Sequence, residues 1–143
     1  VLDTAGADKV LRARLARLDD TRPALRSVAD VIRSEFRDQY ASGQGWPALS
    51  AGYARRKARQ GRGTRTNVYT GTLEASLTRT GVRYAAETVT REVVEVRSKD
   101  PVGNLLTRGT SRMPARDPAR IDVRQVARRS REVLLIHLAA GGR

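Results

Sequence analysis

No cysteine occurs in the 143 residues, so neither a disulfide framework nor a thiolate metal site is available, and the redox compartment stays open. Aromatic residues are nearly as scarce, at 4%, with a single Trp and a single Phe. The core must therefore be aliphatic, built from Val, Leu, Ile and Ala, with Trp46 and Phe36 as its few large anchors. One histidine, His137, leaves imidazole chemistry a single group, and its neighbours Leu135, Ile136 and Leu138 suit a helix-end residue better than a general base. No apolar run approaches the roughly 20 residues of a bilayer span, and the N-terminus lacks the charged-then-apolar layout of a secretory signal. The expectation is a protein made in the cytoplasm that has no membrane partner.

Carboxylates are scattered and mostly neighboured by Arg, so no metal site is expected. Glu35 and Asp38 lie three apart on a helical pattern, where such pairs usually serve as solvated partners for Arg33 or Arg37 and not as an acid and base. The Gly61–Asn67 string, GRGTRTN, lacks the Gly-Lys-Ser/Thr ending of a phosphate loop and follows no strand pattern. Neither a catalytic residue nor a cofactor is expected, and the chain reads as a non-enzyme.

What is present in excess is arginine. Lys plus Arg number 28 against 15 Asp plus Glu, a formal charge of +13, and the only lysines are Lys9, Lys57 and Lys99. Guanidinium groups make planar, bidentate contacts to carboxylate and phosphate, so the excess points to an acidic protein surface or to nucleic acid. A genome rich in G and C would also raise Arg. The strongest local run lies between Asp38 and Glu74, a stretch without any acid that holds Arg55, Arg56, Lys57, Arg59, Arg62 and Arg65. Six cations without a nearby acid, together with Gly61 and Gly63, predict a mobile surface loop that an acidic neighbour or passing DNA would order.

Along the chain, Val10, Leu11, Leu15 and Leu18 are spaced for an amphipathic helix over about Asp8 to Leu18. A second helix starts at Thr21 as N-cap with Pro23 in its first turn, carries Leu25, Val28, Ile32, Phe36 and Tyr40 on one face, and stops at Gly43 and Gly45. Ser50 can cap a short helix through Tyr53, Ala54 and Ala58. Leu73, Ala75 and Leu77 alternate with polar residues and predict a half-buried strand, and Val89, Val94 and Val96 predict further antiparallel strands. Pro101, Gly103, Gly109, Pro114 and Pro118 punctuate a long irregular connection. A last helix starts after Asp122 with the stripe Val123, Val126, Ala127, Val133, Leu134 and Leu138. Leu135 and Ile136 fall off that stripe, and this apolar surplus suits an oligomer interface.

Three blocks stand out in this order. The first is GWPALSAGYARRK, with Trp46, Pro47, Leu49, Ser50, Tyr53 and Lys57. The second is YTGTLEASL, with Gly71, Leu73, Ser76 and Leu77. The third is RGTSRMPARDP, with Gly109, Met113, Pro114, Ala115 and Arg116. Joined in order they resemble the phage virion morphogenesis family, whose members act in tail completion and head–tail joining. The chain departs from that pattern at Asp117 and Pro118, where the family continues Pro-Phe, and at Asn104, Leu105 and Leu106. The resemblance implies a structural virion protein at the head–tail junction, a tail terminator or neck subunit forming a homo-hexameric ring. Its partners would be adjoining connector and tail-tube proteins, with transient contact to genomic DNA.

The expected fold is one α+β domain: two N-terminal helices, a small antiparallel β-sheet, a long irregular loop and a C-terminal helix packed on the sheet. Residues 1–45 would form a helical arm, 46–118 the family-like core with its basic loop, and 119–143 the C-terminal helix. Two rival functions remain. A basic nucleic-acid-binding module would use the charge directly, although no stacking aromatic pair or recognised motif accompanies it. A cell-wall-cleaving tail enzyme is the other.

Overall fold

Helix signals dominate the chain, and a computed structural model, which describes residues 4–140, realises most of them. The elements are α1 (Thr4–Asp19), α2 (Arg22–Ser42), α3 (Ala51–Arg59), α4 (Thr72–Thr78), β1 (Ala85–Val89), β2 (Val94–Ser98), α5 (Pro101–Arg108) and α6 (Val123–Ala139). Helices with one two-stranded antiparallel sheet make an α+β fold, as expected. The described residues group into two compact units. One comprises residues 4–31, Thr88–Glu95 and residues 123–140; the other comprises Ile32–Glu87 and Val96–Asp122.

In the first unit α1 packs against α6, and Arg17 donates to the His137 carbonyl at 2.5 Å. The sequence pattern assigned α6 to the sheet, but two five-residue strands offer a helix little face. On α1 the leucines run against expectation: Leu11, Leu15 and Leu18 are exposed, and Val10, Ala13 and Arg17 are the more covered positions. A periodic stripe marks an apolar face without saying what covers it. Thr21 precedes α2, but its hydroxyl donates to the Arg91 carbonyl, and the Asp20 carboxylate receives the Arg22 backbone N–H at 3.2 Å instead. Donation from the Arg22 side chain holds the Asp20 carboxyl down at about 2.

The second unit holds the aromatic anchors. Phe36 and Tyr40 from α2, Trp46 and the α4 residues Leu73 and Leu77 form one buried cluster, with Ile32, Val68, Val96, Leu106 and Ile121 packed around it. Tyr40 and Trp46 meet edge to face at 5.0 Å between centroids. Arg33 and Glu35, expected at the solvent, are both buried, and Arg33 pairs with Glu87 of β1 at 2.5 Å. Arg37 donates to the Thr78 carbonyl at 3.2 Å.

Two sequence expectations fail here. The segment around Leu73, Ala75 and Leu77 is helix α4 and not a strand. Its alternation is five residues long, and the same residues place Leu73, Ser76 and Leu77 at i, i+3 and i+4, which buries all three on a helical face. Gly71 starts that helix with φ of 81°, a left-handed turn that glycine adopts without strain. The connection after Pro101 is likewise helical over its first eight residues. Asp100 accepts from Val102 N at 2.9 Å, Pro101 fills the first turn and Gly109 terminates α5.

Tyr40 supplies a test of this core. Its ring is 2% exposed and its hydroxyl has no hydrogen-bond partner. Burial first, then the charges of Glu74, Asp100 and Asp117, push the phenol well above its ordinary 10.0. A raised folded-state value means that stability is intact below pH 10.0 and falls as pH climbs beyond it. We predict that Tyr40→Phe is neutral or stabilising by about 0.5–1 kcal/mol at neutral pH, because it removes a buried unpaired donor. Urea midpoints across an alkaline series check it: the variant's advantage should widen above pH 10.0. A clear destabilisation at neutral pH would mean the hydroxyl is bonded.

Candidate functional site

Helix α3 starts where the Ser50 hydroxyl accepts the Tyr53 N–H at 3.4 Å. At 100° per residue Tyr53 and Lys57 then share one face, while Arg55 and Arg59 lie on the other. Lys57, expected among the partner-contacting cations, is 2% exposed and turns inward. Its ammonium donates to the carbonyls of Arg65 at 2.6 Å and Val68 at 2.5 Å. Burial, then the charge of Arg65, lowers its pKa from the ordinary lysine value. Arg65 donates to Glu74 at 2.7 Å and to the Tyr40 carbonyl at 2.9 Å. The expected mobile loop therefore has local anchors. Its first half is α3, and its far end is tied by Lys57 and by an acid just past the acid-free run. A charge run read as one solvated face conceals a lysine on the apolar side of a short helix.

The remaining cations, Arg55, Arg56, Arg59 and Arg62, are exposed and have no carboxylate partner among the described residues. Arg56 stacks over Tyr53 at 5.0 Å and Arg62 over Tyr69 at 5.1 Å.

All three sequence blocks meet in the second unit. Arg116 is 5% exposed and donates through Nε to the Pro47 carbonyl and through Nη2 to the Ala48 carbonyl, both at 2.7 Å. In the reverse direction Trp46 Nε1 donates to the Asp117 carbonyl at 2.7 Å. Leu73 and Leu77 pack in the cluster that holds Trp46, and Ser76 donates to the Leu73 carbonyl at 2.7 Å while lying 2.6 Å from the Ser98 hydroxyl. Gly109 and Met113 flank a tight turn closed by Thr110 N to the Met113 carbonyl at 2.8 Å, and Pro114 is exposed beyond it. Leu49 is half-buried.

Between these blocks lies a cavity of about 510 Å³. Tyr53 and Lys57 line it from α3, Tyr69 and Gly71 from the segment before α4, Leu105 from α5, and Met113 and Arg116 from the third block. Sequence reasoning missed the α5 wall, Val102, Leu105 and Leu106, because that stretch was read as irregular; the Asp100–Pro101 start and the Gly109 stop were the available signal. Leu135 and Ile136, in the other unit, are 56% and 68% exposed.

Compared with protein-family models, with curated proteins and with solved structures, the chain matches none. Among the described residues no group of three His, Asp or Glu side chains is placed to hold a metal, and no helix is long and apolar enough to cross a membrane.

Proposed function

We propose that this chain is a structural subunit of a tailed-bacteriophage particle, acting at the head–tail junction as a tail terminator or neck protein, and that it works by assembly and not by turnover. The observation that carries the reading is the joining of the three family-like blocks. Segments about 70 residues apart, around Trp46 and around Arg116, hold each other through three side-chain-to-backbone hydrogen bonds. Residues that resemble one family's pattern in sequence thus act as one physical unit, with the second block's leucines beneath Trp46. The ring of copies, the connector and tail-tube neighbours and the location in the virion follow from the resemblance.

The four arginines without a carboxylate partner among the described residues supply the contact surface in this reading. Arginine–carboxylate pairs across a joint contribute most when bidentate and shielded from water. Replacing Arg55, Arg56, Arg59 and Arg62 together with Ser should leave the fold intact, since all four are exposed, and yield separate heads and tails in a complementation assay. Fully joined particles that differ only in DNA retention would mean that these residues face DNA. Full assembly in the absence of the chain would remove the reading altogether.

The same four arginines favour a second reading, a nucleic-acid-binding module. A duplex DNA mobility shift at physiological salt separates the two: tight binding by the free subunit supports the second.

A further inference from the structure

The cavity of the second unit has apolar walls that stay about half exposed. Tyr69, Val102 and Leu105 are 46%, 47% and 58% exposed, and all three line the same depression. Scattered exposed leucines are ordinary, but three large apolar side chains around one opening of about 510 Å³ form a receptacle sized for a few side chains.

Cations outnumber acids in the lining, where Arg56, Lys57 and Arg116 face the single carboxylate of Asp100. Arg56 lines the cavity and stacks on Tyr53, and Arg62 stacks on Tyr69. Contact with a ring uses none of the five guanidinium N–H groups as donors to an acceptor oxygen, so both side chains can still bind a carboxylate. Of the nearby acids, Asp100 is buried and caps α5 through Val102 N, and Glu74 is held by Arg65. Neither neutralises Arg56 or Arg62.

We propose that this cavity docks an acidic peptide segment of a neighbouring protein, which inserts an apolar side chain against α5 while flanking carboxylates pair with Arg56 and Arg62. The inference rests on the assembly reading, and it names the chemistry of the partner. Nucleic acid would satisfy the arginines but leave the aliphatic wall of Val102 and Leu105 uncovered. A second copy fits this cavity poorly, because the chain's 15 acids are scattered and mostly neighboured by Arg, and among the described residues it offers no apolar residue flanked on both sides by free carboxylates.

The test uses the full chain and a fluorescein-labelled synthetic peptide with a central Leu–Phe pair flanked by glutamates, followed by fluorescence anisotropy. Saturable binding is expected, weakened roughly tenfold by Leu105→Ser and about threefold by Arg56→Ser, with the arginine effect shrinking at high salt. Peptides with Ser for the Leu–Phe pair, or Gln for the glutamates, should bind at least roughly tenfold more weakly. Leu105 is exposed, so its Ser variant should keep the parent urea midpoint, and Val102→Ser gives a second measurement on the same wall. The proposal is overturned by no binding, by equal binding of the Gln peptide, or by binding that ignores both Leu105→Ser and Val102→Ser. A single-stranded oligonucleotide that displaces the peptide through Arg56 and not Leu105 also overturns it, as does an oligomer of the pure chain that Leu105→Ser dissolves. Peptide failure alongside particles that still need the chain sinks only the pocket; peptide binding by a chain dispensable for particle formation sinks only the assembly reading.

Discussion

Replacing Arg116 with Leu should lower stability by about 2–4 kcal/mol, among the largest effects expected of any single change. The side chain is 5% exposed, and its two donors reach two consecutive carbonyls, those of Pro47 and Ala48, at 2.7 Å each. Leucine fills part of the volume and supplies neither donor, so both acceptors lose a charge-assisted bond. Pro47 and Ala48 are themselves exposed residues, which lets water replace some of the loss and keeps the figure below that of a fully enclosed network. Arg116→Lys should recover less than half, because an ammonium is a point donor and cannot span two carbonyls with a rigid fork. Urea unfolding at constant slope is the measurement. An unchanged midpoint in the Leu variant would show that the joint between the first and third blocks contributes nothing to the fold.

Gly109→Ala should cost a similar amount, about 2–4 kcal/mol, for a different reason. The residue has φ of 69°, and an added Cβ would lie 2.7 Å from Ala115 N, 2.9 Å from the Met113 carbonyl oxygen and 3.1 Å from Ala115 Cα. All three are backbone atoms, so no side chain can rotate away, and the turn carrying Met113 must open. Gly61→Ala is the comparison, with a similar φ of 66° and nothing within 4 Å of the added atom, whereas Gly109 also has ψ of −175°, a region open to little but glycine. At Gly61 the left-handed backbone alone is penalised, at about 1 kcal/mol. The difference should appear as a fall in Tm several degrees greater for Gly109→Ala than for Gly61→Ala. Equal falls would mean that the turn yields freely.

Much of the helical fold was legible because local rules govern it. Pro23 opens α2 within its first turn, Ser50 caps α3, and the valines from Val89 to Val96 pair as a hairpin. The failures came where one short pattern supports two periods. Leu73, Ser76 and Leu77 fit a helix as well as Leu73, Ala75 and Leu77 fit a strand, and burial against Trp46 decides for the helix. At Lys57 the surrounding run of arginines hid the signal. A lone ammonium one turn after Tyr53 is suited to a pair of backbone carbonyls, but the residues that supply those carbonyls lie 8 and 11 positions on and carry no mark of it.

By itself the sequence determined an aliphatic core with few aromatic anchors, a strong positive charge carried by arginine, and the principal helix starts and stops, since these depend on composition and on residues within one turn of each other. Only tertiary structure decided which cations remain free to meet a partner and which, like Lys57, Arg65 and Arg116, hold the fold together, because that depends on carbonyls and carboxylates brought in from distant positions. It also decided that the three blocks share one cavity, with α5 as the missing wall. A hydrogen bond across about 70 residues has no local signature, whereas a cap or a periodic stripe lies within a few residues of its cause.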